Sequence, residues 1–219
     1  MPLLLPFHRA TFLRRLPQLL AGYAAIGAGF AVMVEADLGL GPWEVLHQGI
    51  ADRTGIPMGV VTILVGIAVL GAWVPLRQRP GIGTVGNVVL VGVALDLTLL
   101  AVPAVTTLWV RWTMLAGGIT LAAFGIGTYL GTHLGPGPRD GLMTGMATRG
   151  WGSLRGARTA VESVVLVAGW LLGGTVGIGT VAFALSIGPL IQYFLGLMSR
   201  PQHVVTKRPV RYHLPPRIR

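Results

Sequence analysis

The chain lacks cysteine altogether and has few charged residues. Without cysteine it forms neither disulfide bonds nor thiolate metal sites, and it has no cysteine nucleophile. Only 11% of its 219 residues are charged, whereas about 25% are charged in a typical soluble domain. Acidic residues are scarce: the chain has 7 Asp and Glu residues but 17 Lys and Arg residues. This composition excludes an ordinary soluble domain and predicts an integral membrane protein that lies in a lipid bilayer.

Catalytic and cofactor-binding patterns are absent as well. No Ser/His/Asp arrangement, Walker-type loop or pair of catalytic carboxylates is recognisable, so we expect no enzyme and no cofactor. The segment GIGTVG at 81–86 matches a dinucleotide fingerprint formally, but no strand precedes it. The histidines are scattered without metal-ligand spacing, and we expect no metal site from His8, His47, His133, His203 and His213. Of these, His47 and His133 are interpreted as polar loop residues rather than a proton relay.

The net charge of +10 has a simple interpretation. Its basic residues lie in short flanks between apolar runs and in a C-terminal tail, which is typical of the positive-inside bias of membrane proteins. We therefore expect no nucleic-acid partner.

The chain repeats itself at an offset of 96 residues without a gap. LGLGPWEVLHQG at 38–49 corresponds to LGPGPRDGLMTG at 134–145, and GIGTV occurs at both 81–85 and 177–181. Each copy contains three apolar runs near the length of about 20 residues that a membrane helix needs. The six predicted spans are 16–36, 57–75, 82–102, 112–132, 155–173 and 177–198.

An odd number of spans in each copy implies that the second copy enters the membrane from the opposite side. The N-terminus, the second and fourth connections and the tail are basic, whereas the first connection is acidic. This alternation places both termini in the cytoplasm. Arg111, in the third connection, is the one exception. The fold prediction is all-α, with six transmembrane helices in two inverted three-helix repeats. Its units are a cytoplasmic segment 1–14, repeats 15–103 and 104–199, and a basic cytoplasmic tail 200–219.

A short amphipathic or re-entrant helix is predicted after the first span of each copy. Pro42 and Pro138 suit a first helical turn, and Glu44 and Asp140 follow where the helix dipole favours a carboxylate. Broken helices of this kind in inverted repeats indicate a transport site. The alternative is an interfacial helix whose acid serves only as a cap. Trp43 in the first copy is replaced by Arg139 in the second, as the positive-inside bias favours.

Three of the polar residues inside the predicted spans are Asp96, Gln192 and Glu162. Asp96 is an acid deep in the third span, and its counterpart in the second copy is Gln192. A buried acid at that depth faces protein or water rather than lipid, so Asp96 is either a site residue or a structural hydrogen-bond partner. Glu162 lies four residues after Arg158, a spacing that predicts an ion pair on one helix.

The segments DLGLGPWEVLHQGIADRTGIPMGVVTILVG, RQRPGIGTVGN and ALDL resemble the YczE/YyaS/YitT-like family of bacterial integral membrane proteins. The resemblance covers residues 14–198. It implies a multi-pass protein of the bacterial inner membrane and supplies no catalytic residues. Some members look like accessory factors for secondary-metabolite production, which fits either export or scaffolding.

We predict a small-solute transporter or permease. The alternative is a non-transporting accessory or scaffold protein. A channel is a weaker option, since no ring of charged residues is present. Glu44 and Asp140, with Trp43 and Arg139, are expected at the outer and inner ends of a path for an unidentified solute. Asp96 and Gln192 are expected within that path. A homodimer is a further possibility.

Overall fold

A computed structural model describes residues 9–199, and over this range the chain is all-helical, as predicted, with no strand. The predicted tail at 200–219 and residues 1–8 lie outside the described residues. The eight helices are α1 (Arg9–Ala36), α2 (Pro42–Thr54), α3 (Met58–Leu76), α4 (Ile82–Ala101), α5 (Leu108–Leu130), α6 (Pro138–Thr148), α7 (Leu154–Leu171) and α8 (Ile178–Met198).

Five of these helices are long and apolar enough to cross a bilayer. They are α1 from Phe12 onward, α3, α4, α5 and α8. Helix α7, where a sixth span is predicted, has 18 residues but includes Arg155, Arg158 and Glu162, and it is less apolar than the five. The remaining two, α2 and α6, are the short helices predicted after the first span of each copy.

The helices of the two halves are interleaved. Helix α1 packs along α5 at the centre, with α4 against α1 and α8 against α5. Helix α2 packs against α7, and its counterpart α6 packs against α3. Each short helix therefore contacts the other half of the chain as well as its own.

A backbone hydrogen bond at the start of α8 has a counterpart at the start of α4, with the two halves exchanged. The Gly179 N–H donates to the Leu38 carbonyl at 2.7 Å, and the Gly83 N–H donates to the Leu134 carbonyl at 3.0 Å. Gly39 has a φ of +113°, and a Cβ there would lie 2.7 Å from the Gly177 nitrogen. A left-handed backbone this close to another chain segment requires glycine.

Two arginines at corresponding positions cap the ends of the central helices. Arg111 Nε donates to the Ala36 carbonyl at 2.6 Å, and Arg15 Nη1 donates to the Thr132 carbonyl at 2.5 Å. Arg111 also forms an ion pair with Asp37 at 2.9 Å. This capping contact accounts for the one basic residue that departs from the predicted charge alternation, because a cation is favoured at the C-terminal end of a helix.

The correspondence between the two halves fails at one contact between neighbouring helices, and such a contact is called a seam here. Helices α3 and α4 approach so closely that a Cβ on Gly92 would lie 2.4 Å from the Gly59 carbonyl oxygen. Gly188, the counterpart of Gly92 in α8, has open space around its Cα. Helices α7 and α8 do not pack closely against each other within residues 9–199. The α3–α4 seam is thus closed and the α7–α8 seam is open.

Candidate functional site

Helices α2 and α6 begin in the same way, as their sequences predict. Gly41 and Gly137 are the N-cap residues, and a proline occupies the first turn of each helix. Proline there leaves no backbone donor unsatisfied and has the helical φ already fixed. The acids Glu44 and Asp140 then lie in the first turn.

The N-terminal ends of α2 and α6 meet. Arg139 Nη2, on α6, contacts Glu44 Oε1, on α2, at 2.7 Å. The Arg139 guanidinium lies 5.0 Å from the centre of the Trp43 ring and 5.8 Å from the centre of the Phe30 ring. Both distances are within the range of about 6 Å for attraction between a cation and an aromatic face.

This geometry corrects the expectation that these residues guard opposite ends of a path. Glu44 and Trp43 from the first half contact Arg139 from the second, so they form one site rather than two gates. The reason is that the first turns of α2 and α6 lie within side-chain reach of each other. The positive-inside bias therefore does not explain why position 139 is an arginine, because this side chain pairs with a carboxylate of the other half.

A cavity of about 620 Å³ opens beside this site. Its lining includes residues near the middle of three apolar helices, namely Ile26 in α1, Gly66 in α3 and Ile187 in α8. At its edge lie Gln78 and Arg79, in the connection from α3 to α4, and α7 also contributes Arg158 and Glu162. The cavity therefore runs from the centre of the helices towards the basic connections.

Two cavity-lining residues each have a buried polar atom that lacks a hydrogen-bond partner among the residues that the structure describes. Glu44 is 1% exposed and Trp43 is 6% exposed, and both line the cavity. Within the described part of the chain, neither Glu44 Oε2 nor Trp43 Nε1 has a hydrogen-bond partner. A buried polar group without a partner is costly and usually indicates a missing water, ion or ligand. Here an acceptor and a donor are both left free.

His47 lies one helical turn after Glu44 and also lines the cavity. Its Nδ1 is 3.1 Å from Thr62 Oγ1, and Thr62 in turn donates to the Met58 carbonyl at 2.9 Å. Since the Thr62 hydroxyl has a single hydrogen, His47 Nδ1 is the donor in this contact. His133 lies in the turn after α5, where burial and then the Arg15 guanidinium lower its pKa.

Asp140 is the second carboxylate of the site. It is exposed to the cavity, and its Oδ2 accepts a long hydrogen bond of 3.5 Å from the Tyr129 hydroxyl. No ion pair of Asp140 occurs among residues 12–199. The other acid at the cavity, Glu162, pairs with Arg158 at 3.0 Å, so the predicted ion pair on α7 is confirmed.

Asp96 and Gln192 are not lining residues of this cavity. Asp96 Oδ1 accepts a hydrogen bond of 2.6 Å from the Gly59 N–H, in the first turn of α3. It thus caps the N-terminus of α3 from the neighbouring helix, which is the structural interpretation weighed for it above. Gln192 is exposed on α8.

The sequence does not identify the aromatic side chains and the hydroxyl groups of the site. Phe30, Thr62 and Tyr129 lie in apolar helices, and nothing in the local pattern of those helices distinguishes them from lipid-facing or core residues. For His47 the sequence favours a polar loop residue over a proton relay. Its position three residues after Glu44 on a predicted helix was the available signal, because residues three apart share a face.

Comparisons with known proteins agree with the resemblance found in the sequence. The sequence profile described as "Family of unknown function (DUF6198)" matches residues 13–196. An uncharacterized protein of Haemophilus influenzae is 41% identical over 186 residues, covering 85% of each chain. The uncharacterized membrane protein YczE of Bacillus subtilis is 31% identical over 178 residues, covering 80% of this chain and 82% of YczE.

The uncharacterized protein YyaS of Bacillus subtilis is 25% identical over 192 residues, covering 85% of this chain and 94% of YyaS. No solved structure matches the chain. The YczE/YyaS-like resemblance is confirmed, and this is a membrane protein whose chain belongs to the DUF6198 family of proteins of unknown function.

Proposed function

We propose that this protein is a small-solute transporter of the bacterial inner membrane. The observation that carries the proposal is the meeting of the first turns of α2 and α6 at a cavity near the middle of the apolar helices. Broken helices that converge from two halves of a chain are the arrangement by which many transporters hold their solutes.

The proposed topology has six spans, with α7 as the sixth, and both termini in the cytoplasm. Paired contacts between the halves support an inverted relationship, because each is repeated with the two halves exchanged. Examples are the Leu38–Gly179 and Leu134–Gly83 hydrogen bonds and the caps made by Arg111 and Arg15. The charges of α7 lie in its first half, where Arg158 and Glu162 neutralise one another.

In this topology we infer an inward-facing state. The closed α3–α4 seam, at Gly59 and Gly92, lies on the outer side, and the open α7–α8 seam lies on the inner side. The cavity extends to Arg79, in the basic connection between α3 and α4, and to Arg158, in the first half of α7 just after the basic fourth connection. Basic connections are cytoplasmic in this topology. Access from outside then requires the first seam to open and the second to close.

The site itself supports two alternating states. Exchanging the halves converts the Glu44–Arg139 ion pair into a contact between Asp140 and Trp43. That contact is not formed here, and the Trp43 Nε1 donor has no partner within the described residues. Rocking of one half against the other would allow Asp140 to accept this hydrogen bond in the outward-facing state.

Transport is tested by flux in proteoliposomes. A strain lacking the gene is first profiled for metabolites that accumulate or disappear, and the leading solute is then assayed with wild-type protein. Glu44→Gln and Asp140→Asn alter the cavity, and Asp37→Asn is the matched control because Asp37 is 64% exposed and lies outside the cavity lining. We expect the two cavity variants to lower the initial rate at least about tenfold, and the control to retain it.

The rival scaffold function predicts a different result. A scaffold would show no flux above that of empty liposomes. In addition, expressing Glu44→Gln or Asp140→Asn in the deletion strain would return its metabolite profile to normal as well as expressing the wild-type protein does. That combination would overturn the transport proposal. A homodimer stays a prediction and is not needed for the site, whose groups all come from one chain.

A further inference from the structure

The chemical class of the solute follows from the groups that surround the cavity. The inner site is defined here as Glu44, Asp140, Arg139, Trp43 and Phe30. Its acceptors outnumber its unpartnered donors: Glu44 Oε2 is buried without a partner within the described residues and Asp140 is open to the cavity, whereas Trp43 Nε1 is a donor without a partner in the same range. Arg139 is already engaged with Glu44 Oε1 and with the two aromatic rings.

The charges of the inner site do not balance. Two carboxyl groups, Glu44 and Asp140, face one guanidinium. Burial raises the pKa of Asp140, and the Arg158 and Arg139 guanidinium groups oppose this shift by favouring its carboxylate. His47 adds no charge, since its Nδ1 donates to Thr62 and a second proton would place a buried cation beside Arg139. Arg158 and Glu162 pair with each other, and Arg79 is an exposed residue of the connection between α3 and α4. The inner site thus keeps one negative charge.

The environment of Arg139 shows what kind of cation this site accommodates. Its guanidinium is held by a carboxylate oxygen at 2.7 Å and by the Trp43 and Phe30 rings at 5.0 and 5.8 Å. Aromatic faces with a carboxylate are the usual means of binding organic ammonium and guanidinium groups. The remaining lining is largely apolar and includes Phe183 and Ile187, so it fits a hydrocarbon part.

We propose that the cavity binds an organic monocation, an ammonium or guanidinium group on an apolar body, at Asp140 and next to the Glu44–Arg139 pair. This inference rests on the proposed function and names its class of solute. An organic anion would meet two carboxylates and a guanidinium that is already paired. A monocation, in contrast, brings the inner site to neutrality and leaves no unmatched charge in the low-dielectric interior.

Binding to the purified full-length protein in detergent tests the inference. The probes are benzyltrimethylammonium, benzyl alcohol and benzoate, which share an aromatic body and differ in charge, and the method is isothermal titration calorimetry. We expect only benzyltrimethylammonium to bind. Asp140→Asn should weaken its binding at least about tenfold, and the control Asp37→Asn should leave it unchanged.

Arg139 provides the sharpest variant, because its loss should have the opposite effect. Arg139→Gln leaves two uncompensated carboxylates and should tighten benzyltrimethylammonium binding at least about tenfold. If that variant does not fold, the double variant Glu44→Gln/Arg139→Gln replaces it. The double variant keeps the single negative charge of Asp140, and its affinity should stay within about threefold of wild type.

Three results would overturn the proposal: binding of benzoate in preference to the cation, loss of cation binding in the double variant, or binding of none of the probes. These failures differ from failure of the transport proposal. Flux of an anionic or neutral metabolite would remove the cation inference and leave transport standing. Cation binding without flux of any solute would remove the transport proposal and leave the cation inference standing.

Discussion

The Arg139 guanidinium lies over the Trp43 ring, 5.0 Å from its centre, although residues 43 and 139 occupy the same position in the two halves of the chain. In the folded chain these two corresponding positions lie next to each other. Because one is an arginine and the other a tryptophan, the contact is a cation–aromatic pair rather than a repulsive pair of like charges. The two halves have therefore become complementary at the point where they meet.

The Glu44–Arg139 ion pair should stabilise the fold mainly by avoiding an unpaired buried charge. Arg139→Gln leaves the 1% exposed Glu44 carboxylate uncompensated, and we expect it to cost about 3 kcal/mol in the free energy of unfolding. Glu44→Gln should cost less, since Arg139 is 27% exposed and keeps contact with the cavity. Thermal unfolding of the purified protein measures each effect.

The double variant Glu44→Gln/Arg139→Gln should recover much of this loss, because neither remaining group is charged. Additive losses in the double variant would show that the two side chains do not interact. That result would contradict the ion pair and the convergence of α2 and α6.

Asp96 should be a stability residue rather than a transport residue. Asp96→Ala removes the acceptor for the Gly59 N–H, and loss of such a helix cap costs about 1–2 kcal/mol. Asp96→Asn retains an oxygen acceptor and should lose less. Gln192→Ala, at the corresponding exposed position, is the control and should have little effect on unfolding. If flux per folded molecule fell in Asp96→Asn while its unfolding was unchanged, Asp96 would belong to the transport mechanism after all.

Gly92 and Gly188 should respond differently to the same substitution. A Cβ on Gly92 would lie 2.4 Å from the Gly59 carbonyl oxygen, so Gly92→Ala must push α3 and α4 apart. Overpacking of this kind costs about 1–3 kcal/mol. Gly188→Ala meets no neighbour and should be neutral or slightly stabilising, because alanine favours a helix by about 1 kcal/mol over glycine. Equal destabilisation of both variants would contradict the difference between the two seams.

The proposed inverted topology is tested with single cysteines, since the chain has none of its own. Asp52 and Thr148 occupy corresponding, exposed positions at the C-terminal ends of α2 and α6. We expect a membrane-impermeant maleimide added to intact cells to label Asp52→Cys only. Thr148→Cys should react only after the membrane is permeabilised. Labelling of both from the same side would exclude the inverted relationship. Residues 43 and 139 do not serve this purpose, because both lie at the cavity.

Much of the fold was predictable because its signals are local. The apolar runs indicate helices, because in a membrane every backbone N–H and C=O group must be hydrogen-bonded within the protein. The Gly-Pro segments predict the starts of α2 and α6, which begin at Pro42 and Pro138. The i,i+4 spacing of Arg158 and Glu162 predicts their ion pair, which depends on helix geometry alone.

Most of the site was not predictable in this way. The partner of Glu44 comes from 95 residues further along the chain, and the partner of Asp96 is a backbone N–H of another helix. Sequence spacing carries no information on which acid faces a cavity and which caps a helix. Glu44 lies in the first turn of a short amphipathic helix and Asp96 lies in an apolar one, and only their neighbours in space distinguish their roles.

The amino-acid sequence by itself determined that this is a helical membrane protein with two related halves, because hydrophobic run length, charge bias and self-similarity are properties of the chain. The tertiary structure alone decided that the first turns of α2 and α6 meet, that Arg139 pairs with Glu44 across the halves, and that one helix seam is closed while its counterpart is open. These features depend on how helices distant in sequence pack, and packing is a property of the folded chain as a whole.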